Sequence, residues 1–411
     1  MKNILLVTLT FISLNIKAQT KILFDATKAE MAGNADWVID ADTHNLGFST
    51  GPAVVGGGTE SSPQKTPTPL QSLITGSTSE TYWNGALSNW AIDCVKKGYT
   101  VESLPYNGLI TYGVGSNLQD LSNYKVFVVD EPNILFTASE KTAIMNFVKN
   151  GGGLCMISDH DVSDRNNDTY DSPHIWDDLI TNNSVQNNAF GIVFDYVNIS
   201  ETSSNIASLS TNPILHGTAG DVTQVKWSNG TTMTLNTTQN NSATGLIYKT
   251  GSSTTGTTNV MCASAIYQSG KVITIGDSSV PDDGTGDSGD TLYNGYTLDA
   301  AGNHQRLLMN AIIWLVAPVL SNENFVVSDL NFTIAPNPIQ DKNLKFNFVN
   351  SDNEPFQIIV FDALGRTIQT NSFSNNDSSL SSIFINDLNS GIYFCKISTA
   401  TKSKTLRFVV Q

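Results

Sequence analysis

The 411-residue sequence is poor in charged side chains, and the basic ones are the scarcer kind. Charged residues make up 14% of the chain, and 22 Lys and Arg stand against 37 Asp and Glu, for a formal net charge of -15. A protein that binds nucleic acid through phosphate contacts needs a basic surface, and so does one that docks on anionic lipid. The composition therefore argues against both kinds of partner.

Cysteine, glycine and proline are too few to define a special class of chain. The 31 glycines and 13 prolines exclude a collagen-like or low-complexity protein. No pair among Cys94, Cys155, Cys262 and Cys395 has the spacing of metal ligands. We expect each to be a small buried apolar side chain, although a Cys94–Cys155 or Cys155–Cys262 bridge is open in an oxidising compartment.

The sequence also lacks an apolar run of about 20 residues, the length that a transmembrane helix needs. The apolar stretch at residues 4–14 follows Lys2 and is followed by the small residue Ala18. This order is typical of a secretory signal peptide. We therefore predict that residues 1–18 direct export, that the mature chain begins near Gln19, and that no segment spans a membrane.

From about residue 331 onward, apolar and polar residues alternate in short runs separated by turn residues. This pattern predicts a small antiparallel sandwich of the immunoglobulin-like kind. Its motifs are APNP at 335–338, FDALGR at 361–366, LNSGIYFCKI at 388–397 and KTLRFVV at 404–410. Together they resemble the type A C-terminal sorting domain of the type IX secretion system of Bacteroidetes.

This resemblance implies a partner and a destination for residues 331–411. The secretion machinery would recognise the domain, carry the protein across the outer membrane and remove the domain. Release, or attachment at the cell surface, would follow. An ordinary binding sandwich is the alternative, and in neither case do we expect catalysis there.

The intervening residues 19–318, joined to the sorting domain by a linker at 319–330, alternate predicted strands and helices. Near-continuous apolar runs predict strands at 21–26, 100–105, 125–132, 154–159 and 271–277, and helical periodicity predicts helices at 84–97, 137–150 and 304–316. The stretch 184–258 is rich in Asn, Ser and Thr and suggests extra strands and loops. The alternation predicts a mostly parallel sheet in a three-layer α/β/α domain.

The run NGGGLCMISD at 150–159 and the segments GKVITIGDSS at 270–279 and NHQRLLMNAIIWL at 303–315 resemble the class I glutamine amidotransferase-like superfamily, in its branches outside the amidotransferases. In that family a cysteine occupies a sharp turn after a central strand. Here Ser158, Asp159 and His160 occupy the turn, and Cys155 lies within the strand. The thiol chemistry of the family is therefore not carried over.

Ligands of open parallel sheets bind outside the carboxyl ends of the strands, and here those ends are acidic. Asp25 follows the first strand and Asp130 and Glu131 follow the third, while an Asp-rich segment with His160, His174 and one base, Arg165, follows the fourth. Asp277 follows the last strand, with four further aspartates. We expect these loops to meet at one rim.

Crowded carboxylates raise one another's pKa, and a hard cation such as Ca²⁺ relieves the repulsion. Residues 164–168 carry the D-x-N-x-D start of a calcium loop, but Thr169 and Ile175 stand where its Gly and Glu would be. The predicted metal ligands are Asp25, Asp161, Asp164, Asn166, Asp168 and Asp277. Aspartates that only form Asx turns are the alternative, and His160 as a zinc or iron ligand is a third interpretation.

For catalysis, Asp159 and His160 are the first candidates. Two other arrangements remain open. One is a Ser278–His304 pair, and the other pairs Asp159 with either Asp25 or Glu30. Because aromatic residues accompany the acids, a carbohydrate is the expected ligand. The predicted substrate contacts are Glu30, Asn34, Asp36, Trp37, Tyr170 and His304.

The sequence thus predicts a secreted or cell-surface protein with an acidic, metal-binding cleft. That cleft would bind an extracellular glycan or related small molecule and, in the hydrolase version, cleave it. A non-enzymatic surface binding or scaffold module is the alternative, since similar folds host both.

Overall fold

The computed structural model describes residues 19–32, 35–40, 65–286, 293–297, 303–319, 331–339, 342–349, 354–363, 365–374, 382–385, 388–399 and 403–411. The predicted signal peptide lies outside them. The chain divides between Val319 and Leu320 into two compact units, here called the N-terminal and C-terminal units. Within the described residues, the helices are too short or too polar to cross a membrane.

The N-terminal unit contains four α-helices and fifteen strands within its described residues. The helices are α1 (Ser88–Lys96), α2 (Ala138–Lys149), α3 (Ser172–Thr181) and α4 (Asn303–Val316), with short 3-10 helices at Gln71–Leu73 and Leu121–Asn123. The strands are β1 (Lys21–Asp25), β2 (Met31–Ala32), β3 (Ala35–Asp36), β4 (Thr100–Leu104), β5 (Val126–Asp130), β6 (Gly153–Ile157), β7 (Ile192–Phe194), β8 (Ile199–Ser203), β9 (His216–Gly217), β10 (Gly220–Asp221), β11 (Val225–Gly230), β12 (Met233–Leu235), β13 (Thr244–Tyr248), β14 (Val260–Tyr267) and β15 (Gly270–Ile275).

Nine strands form one mixed sheet in the order β4-β1-β5-β6-β15-β14-β12-β7, with β13 also paired to β14. The first five are parallel to one another. They are the five strands predicted from apolar runs, and β5 and β6 are buried at every position. The remaining pairings are antiparallel.

The expectation of a mostly parallel sheet is therefore only partly met, because four strands extend it in the antiparallel sense: β7, β12 and β13 in the polar stretch 184–258, and β14 directly after it. The change of direction comes at the β14–β15 hairpin, where Tyr267 pairs with Gly270 across a two-residue turn. Gln268 in that turn has a positive φ of 53°. Such a hairpin needs no crossover helix, which is why this half of the sheet contributes strands but few helices.

Two neighbouring glycines show that helices cover both faces of the parallel half. Successive residues of a strand point to opposite faces of the sheet. A Cβ at Gly152 would lie 2.4 Å from the Phe147 ring on α2, whereas one at Gly153 would lie 2.8 Å from Leu315 on α4. Since α1 packs against α4 and α2 is joined to α3 by a 2.8 Å Lys141–Asp178 ion pair, each face carries two helices.

The helix ends follow the predicted local signals. Thr137 and Glu140 form the predicted capping box at the start of α2, which ends before Gly151 at a φ of 108°. Helix α1 begins four residues later than predicted, because the Leu87 N–H donates to the Val38 carbonyl oxygen at 2.9 Å instead of to a carbonyl one turn earlier in the chain. The four cysteines are buried thiols, as predicted, and none of them forms a disulfide.

The C-terminal unit is all-β, as predicted. Its strands are β16 (Asn331–Ile334), β17 (Asn343–Val349), β18 (Phe356–Asp362), β19 (Thr367–Phe373), β20 (Ser382–Phe384), β21 (Gly391–Ser398) and β22 (Ser403–Val410). They form two antiparallel sheets, β16-β17-β20 and β19-β18-β21-β22. Phe332 and Phe346 of one sheet share a buried core with Ile358, Cys395 and Phe408 of the other, which is the packing of a sandwich.

Gly270 lets the start of β15 approach the last turn of α2. A Cβ at Gly270 would lie 1.9 Å from the Val148 carbonyl oxygen, and backbone cannot yield as a side chain can. We predict that Gly270→Ala lowers the free energy of unfolding by about 1–3 kcal/mol. Urea denaturation followed by tryptophan fluorescence measures this, because all six tryptophans precede residue 319.

Gly115→Ala is the matched control, since a Cβ there meets nothing within 4 Å. It should leave the unfolding midpoint within error of the parent. Equal effects of the two substitutions would contradict the close approach at Gly270.

Candidate functional site

Acidic side chains lie together at the carboxyl ends of three neighbouring parallel strands. Asp130 ends β5, Glu131 follows it, Asp159 lies two residues beyond β6 and Asp277 two residues beyond β15. All four are buried. Burial, then the charges of Glu131, Asp159 and Asp277, raise the pKa of Asp130 well above its ordinary value. The side chains are thus close enough to act as one cluster.

Arg165 supplies a positive charge to this cluster. Its Nη2 donates to Asp159 Oδ2 at 2.6 Å, and its Nε donates to Glu131 Oε1. The second oxygen of Glu131 accepts from Trp37 Nε1 at 2.8 Å. Both oxygens of this fully buried carboxylate are therefore held in place, and Arg165 bridges two strand ends.

Asp159 differs from Glu131 because it faces the imidazole of His160. Burial and then the charge of Glu131 raise the pKa of Asp159 well above its ordinary value, against the opposing effect of Arg165. His160 Nδ1 lies 2.6 Å from the Asp161 carbonyl oxygen, so that nitrogen carries the hydrogen. The other ring nitrogen, Nε2, lies 3.5 Å from Asp159 Oδ2.

Asp277 and Asp130 differ in how their oxygens are satisfied. Asp277 accepts from the N–H and hydroxyl of Ser279, at 2.9 and 2.6 Å, and from the Ser228 N–H. Burial raises the pKa of Asp277 to about 6. Neither oxygen of Asp130 has a hydrogen-bond partner among the described residues. We expect Asp130 to hold a proton at neutral pH, since a buried carboxylate without partners is costly.

A small polar cavity of about 110 Å³ opens beside Arg165. Its lining combines carboxylate, guanidinium, imidazole, hydroxyl and amide groups with two aromatic rings. The lining residues are Ala32, Trp37, Asp159, His160, Arg165, Ser228, Asn229, Ser278, Ser279 and Tyr293. Such a set offers donors and acceptors in fixed positions, which suits a small ligand rich in hydroxyl groups.

Asp25 and Glu30 form their own buried pair. Asp25 accepts from the Thr27 N–H at 3.1 Å, and Glu30 accepts from the Lys28 N–H at 2.9 and 3.1 Å. Burial raises the pKa of Asp25 to about 6, and burial followed by the charge of Asp25 raises the pKa of Glu30 well above its ordinary value. Neither residue lines the cavity, so the alternative pairing with Asp159 is not the one that the structure shows.

The predicted calcium loop folds onto its own backbone. Asp164 Oδ1 accepts from the N–H groups of Asp168 and Thr169 at 2.9 and 3.1 Å, and Asp168 Oδ1 accepts from the Tyr170 N–H at 2.9 Å. The amide of Asn166 is buried and donates to the Asn133 carbonyl at 2.6 Å. The Asp168 contact is an Asx turn, and the other contacts also hold the loop through backbone groups, in line with the alternative that the sequence left open.

A different group of side chains is suited to hold a metal ion. One ligand atom from each of Asp161, Asp171 and His174 lies within 4.8 Å of the others. Asp161 was predicted as a ligand, whereas Asp171 and His174 were not. Asp25 and Asp277 lie at other strand ends and use their oxygens in the contacts described above.

The remaining predicted substrate contacts lie away from the cavity. His304 is buried, its Nδ1 donates to the Gly295 carbonyl at 2.9 Å, and its Nε2 accepts from the Lys226 N–H at 3.0 Å. Both ring nitrogens thus hydrogen-bond to backbone groups. Neither is available to accept a hydrogen bond from the Ser278 hydroxyl, as the predicted Ser278–His304 pair would require. Asp36 is buried in β3, and Tyr170 is exposed on the loop after β6. Asn34 lies outside the described residues.

Four residues that shape the site were not among the predicted site residues. Glu131 directly follows a predicted strand, and Arg165 is the one base within an acidic segment. These positions in the sequence could have indicated a role in the site for both residues. Nothing in the sequence around Ser228 and Asn229 indicated such a role. They lie in the polar stretch 184–258 and reach the site through the pairing of β11 with β8.

The buried carboxyls give the N-terminal unit an unusual pH dependence. Folding raises the pKa of Asp25 and Asp277 from 3.8 to about 6, so the folded state binds protons that the unfolded state has released. The free energy of unfolding should therefore fall as pH rises from about 4 to 7, by up to about 1.4 kcal/mol per pH unit for each proton. Urea titrations at several pH values measure the slope.

Asp277→Asn should flatten that slope, because the variant has no proton to lose there. Asp221→Asn, at an exposed residue, should not change it. A free energy of unfolding that rises with pH between 5 and 7 would contradict the assignment.

Comparison with known proteins identifies the C-terminal unit. Residues 333–411 match the family described as the secretion system C-terminal sorting domain. The predicted type IX sorting domain is thereby confirmed, and the protein is secreted to the outer cell surface, with the secretion machinery as its partner.

The N-terminal unit has no comparable assignment. No curated protein matches the chain. Among solved structures, the "mmIFT52 N-terminal domain" matches at 14% identity and a TM-score of 0.37, over 55% of this chain and 88% of that one. A likeness this weak carries no functional information, and the resemblance to the glutamine amidotransferase-like superfamily stays a prediction.

Proposed function

We propose that the N-terminal unit binds a carbohydrate at the cell surface, in the cavity beside Asp159, His160 and Arg165. The observation that carries this proposal is the fixed Glu131–Arg165–Asp159 bridge at the cavity wall. It holds a guanidinium and a carboxylate at the carboxyl edge of the sheet, so neither has to be ordered when a ligand binds. We also propose, from the helices on both faces, that the parallel half is an α/β/α core of the amidotransferase-like kind.

The rest of the lining supports a sugar rather than an anion or an apolar ligand. Sugar hydroxyls need donors and acceptors side by side, which Ser278, Ser279 and Asn229 provide. Tyr293 is 40% exposed at the cavity and offers an aromatic face for the C–H groups of a sugar ring. The acids at the strand ends weigh against an anionic ligand.

Hydrolysis is the second candidate, and one observation favours it. A general acid must hold a proton at working pH, and the pKa of Asp159 is raised well above its ordinary value by burial and by Glu131. His160 Nε2 faces the same carboxyl at 3.5 Å. A binding module remains the main proposal, because both oxygens of Glu131 and those of Asp277 are held by internal donors.

Binding is tested with soluble oligosaccharides of cellulose, xylan, mannan, chitin and laminarin, first on an array and then by calorimetry. We expect at least one to bind residues 19–411. Ser278→Ala and His160→Ala should each weaken that binding about tenfold, the effect of one lost hydrogen bond.

His216→Ala is the control, since His216 is an exposed residue paired with Asp221 and does not line the cavity. It should bind like the parent. Failure of all the oligosaccharides to bind, or unchanged affinity in both cavity variants, would contradict the proposal.

An assay for the release of reducing ends from the same oligosaccharides distinguishes hydrolysis from binding alone. If Asp159 is a general acid, Asp159→Asn abolishes turnover while the affinity for the oligosaccharide stays within a few-fold of the parent. Binding without turnover by the parent protein would rule out hydrolysis of these substrates and leave the binding module.

A further inference from the structure

Independently of the carbohydrate proposal, we propose that Asp161, Asp171 and His174 bind a divalent transition-metal ion. The three side chains come from the loop after β6 and from the first turn of α3. One ligand atom of each lies within 4.8 Å of the others, so modest side-chain movement brings all three onto one ion. This site differs from the predicted calcium loop at residues 164–168.

His174 points to a ligand more strongly than the acids do. Its Nδ1 is buried and has no hydrogen-bond partner among the described residues, and its Nε2 lies 3.8 Å from Asp161 Oδ1, beyond hydrogen-bond distance. By contrast, His160, His216 and His304 each place Nδ1 against an oxygen atom at 2.6 to 3.0 Å. An imidazole with neither nitrogen committed is available for coordination.

The orientation of the His174 ring is already fixed. Its ring meets that of Tyr196 edge-on, with centroids 3.9 Å apart. The Tyr196 hydroxyl donates to Asp177 Oδ2 at 3.0 Å, which anchors the tyrosine on α3. A ring held in this way loses little entropy when it coordinates a metal.

The two carboxylates supply negative charge and are themselves oriented. Asp171 accepts from the Val162 N–H at 2.8 Å, from the Ser163 hydroxyl at 2.6 Å and from the Asp164 N–H. Its carboxyl also makes a side-chain hydrogen bond with Asp161, so the two groups are adjacent and a metal ion would take the place of that contact. The Asp161 carboxylate abuts it, and a divalent cation would offset the repulsion between them.

The donor set selects the class of metal. Ca²⁺ takes six to eight oxygen ligands, whereas one imidazole nitrogen with two carboxylate oxygens suits Zn²⁺ or a similar transition metal. The side chains of Asp161 and His174 are 22% and 28% exposed, so water or a ligand can complete the coordination. The ion would lie beside the cavity, because His160 Nδ1 donates to the Asp161 carbonyl oxygen.

The test uses residues 19–411 without a polyhistidine tag, stripped with chelator and titrated with ZnCl₂ by calorimetry. Elemental analysis after dialysis counts the bound metal. We expect one equivalent, and at least tenfold weaker binding in His174→Ala and in Asp161→Asn. His216→Ala is the matched control, since it also removes a histidine beside an aspartate, and it should keep full affinity.

We expect Asp161→Asn to fold like the parent protein, because Asp161 is partly exposed and the loop is held by the hydrogen bonds of Asp171. A loss of metal binding in this variant therefore cannot be explained by misfolding. Tryptophan fluorescence checks that each variant is folded. No bound Zn²⁺ in the parent protein, Ca²⁺ bound in place of Zn²⁺, or unchanged affinity in both variants would each overturn the proposal. The cavity variants Ser278→Ala and His160→Ala change none of the three ligands, so failure of the carbohydrate proposal is a separate result.

Discussion

The arrangement of the N-terminal unit depends on the guanidinium of Arg165, which lies between the buried carboxylates of Glu131 and Asp159. Burying an unpaired carboxylate costs several kcal/mol, and here two follow adjacent strands of one sheet. Arg165 donates to both of them at once. Trp37 completes the arrangement by donating to the second oxygen of Glu131, which fixes the segment after β1 against the end of β5.

A separate two-stranded sheet, formed by β8 and β11, supplies part of the cavity wall through Ser228 and Asn229. Strand β11 of this sheet carries Ser228, whose N–H donates to Asp277 just beyond β15. Gly230 makes that approach feasible, because a Cβ there would lie 2.4 Å from the Gly276 carbonyl oxygen. The small β8–β11 sheet thus covers the carboxyl end of β15 and helps to enclose the site.

Much of the architecture was predictable because its causes are local in the sequence. The five parallel strands followed from apolar runs, α2 from the Thr137–Glu140 capping box, and the sorting domain from ordered motifs near the C-terminus. The gathering of Asp130, Asp159 and Asp277 followed from topology, because parallel strands end at one edge.

The roles of individual site residues were not predictable, since they depend on contacts between distant segments within a few ångströms. Asp25 pairs with Glu30, and His304 anchors the backbone of Lys226, although the sequence predicted Asp25 as a metal ligand and Glu30 and His304 as substrate contacts. His174 was not among the predicted ligands, because its proximity to Asp161 and Asp171 depends on the fold of the loop before α3, which the sequence did not indicate.

A double-mutant cycle between Arg165 and Glu131 tests the central claim most directly. The free energy of unfolding is measured by urea denaturation for the parent, Arg165→Met, Glu131→Gln and the double variant. We expect Arg165→Met to cost about 3–5 kcal/mol, and Glu131→Gln to recover at least about 2 kcal/mol of that loss by removing the uncompensated charge. Additive effects of the two substitutions would contradict the account.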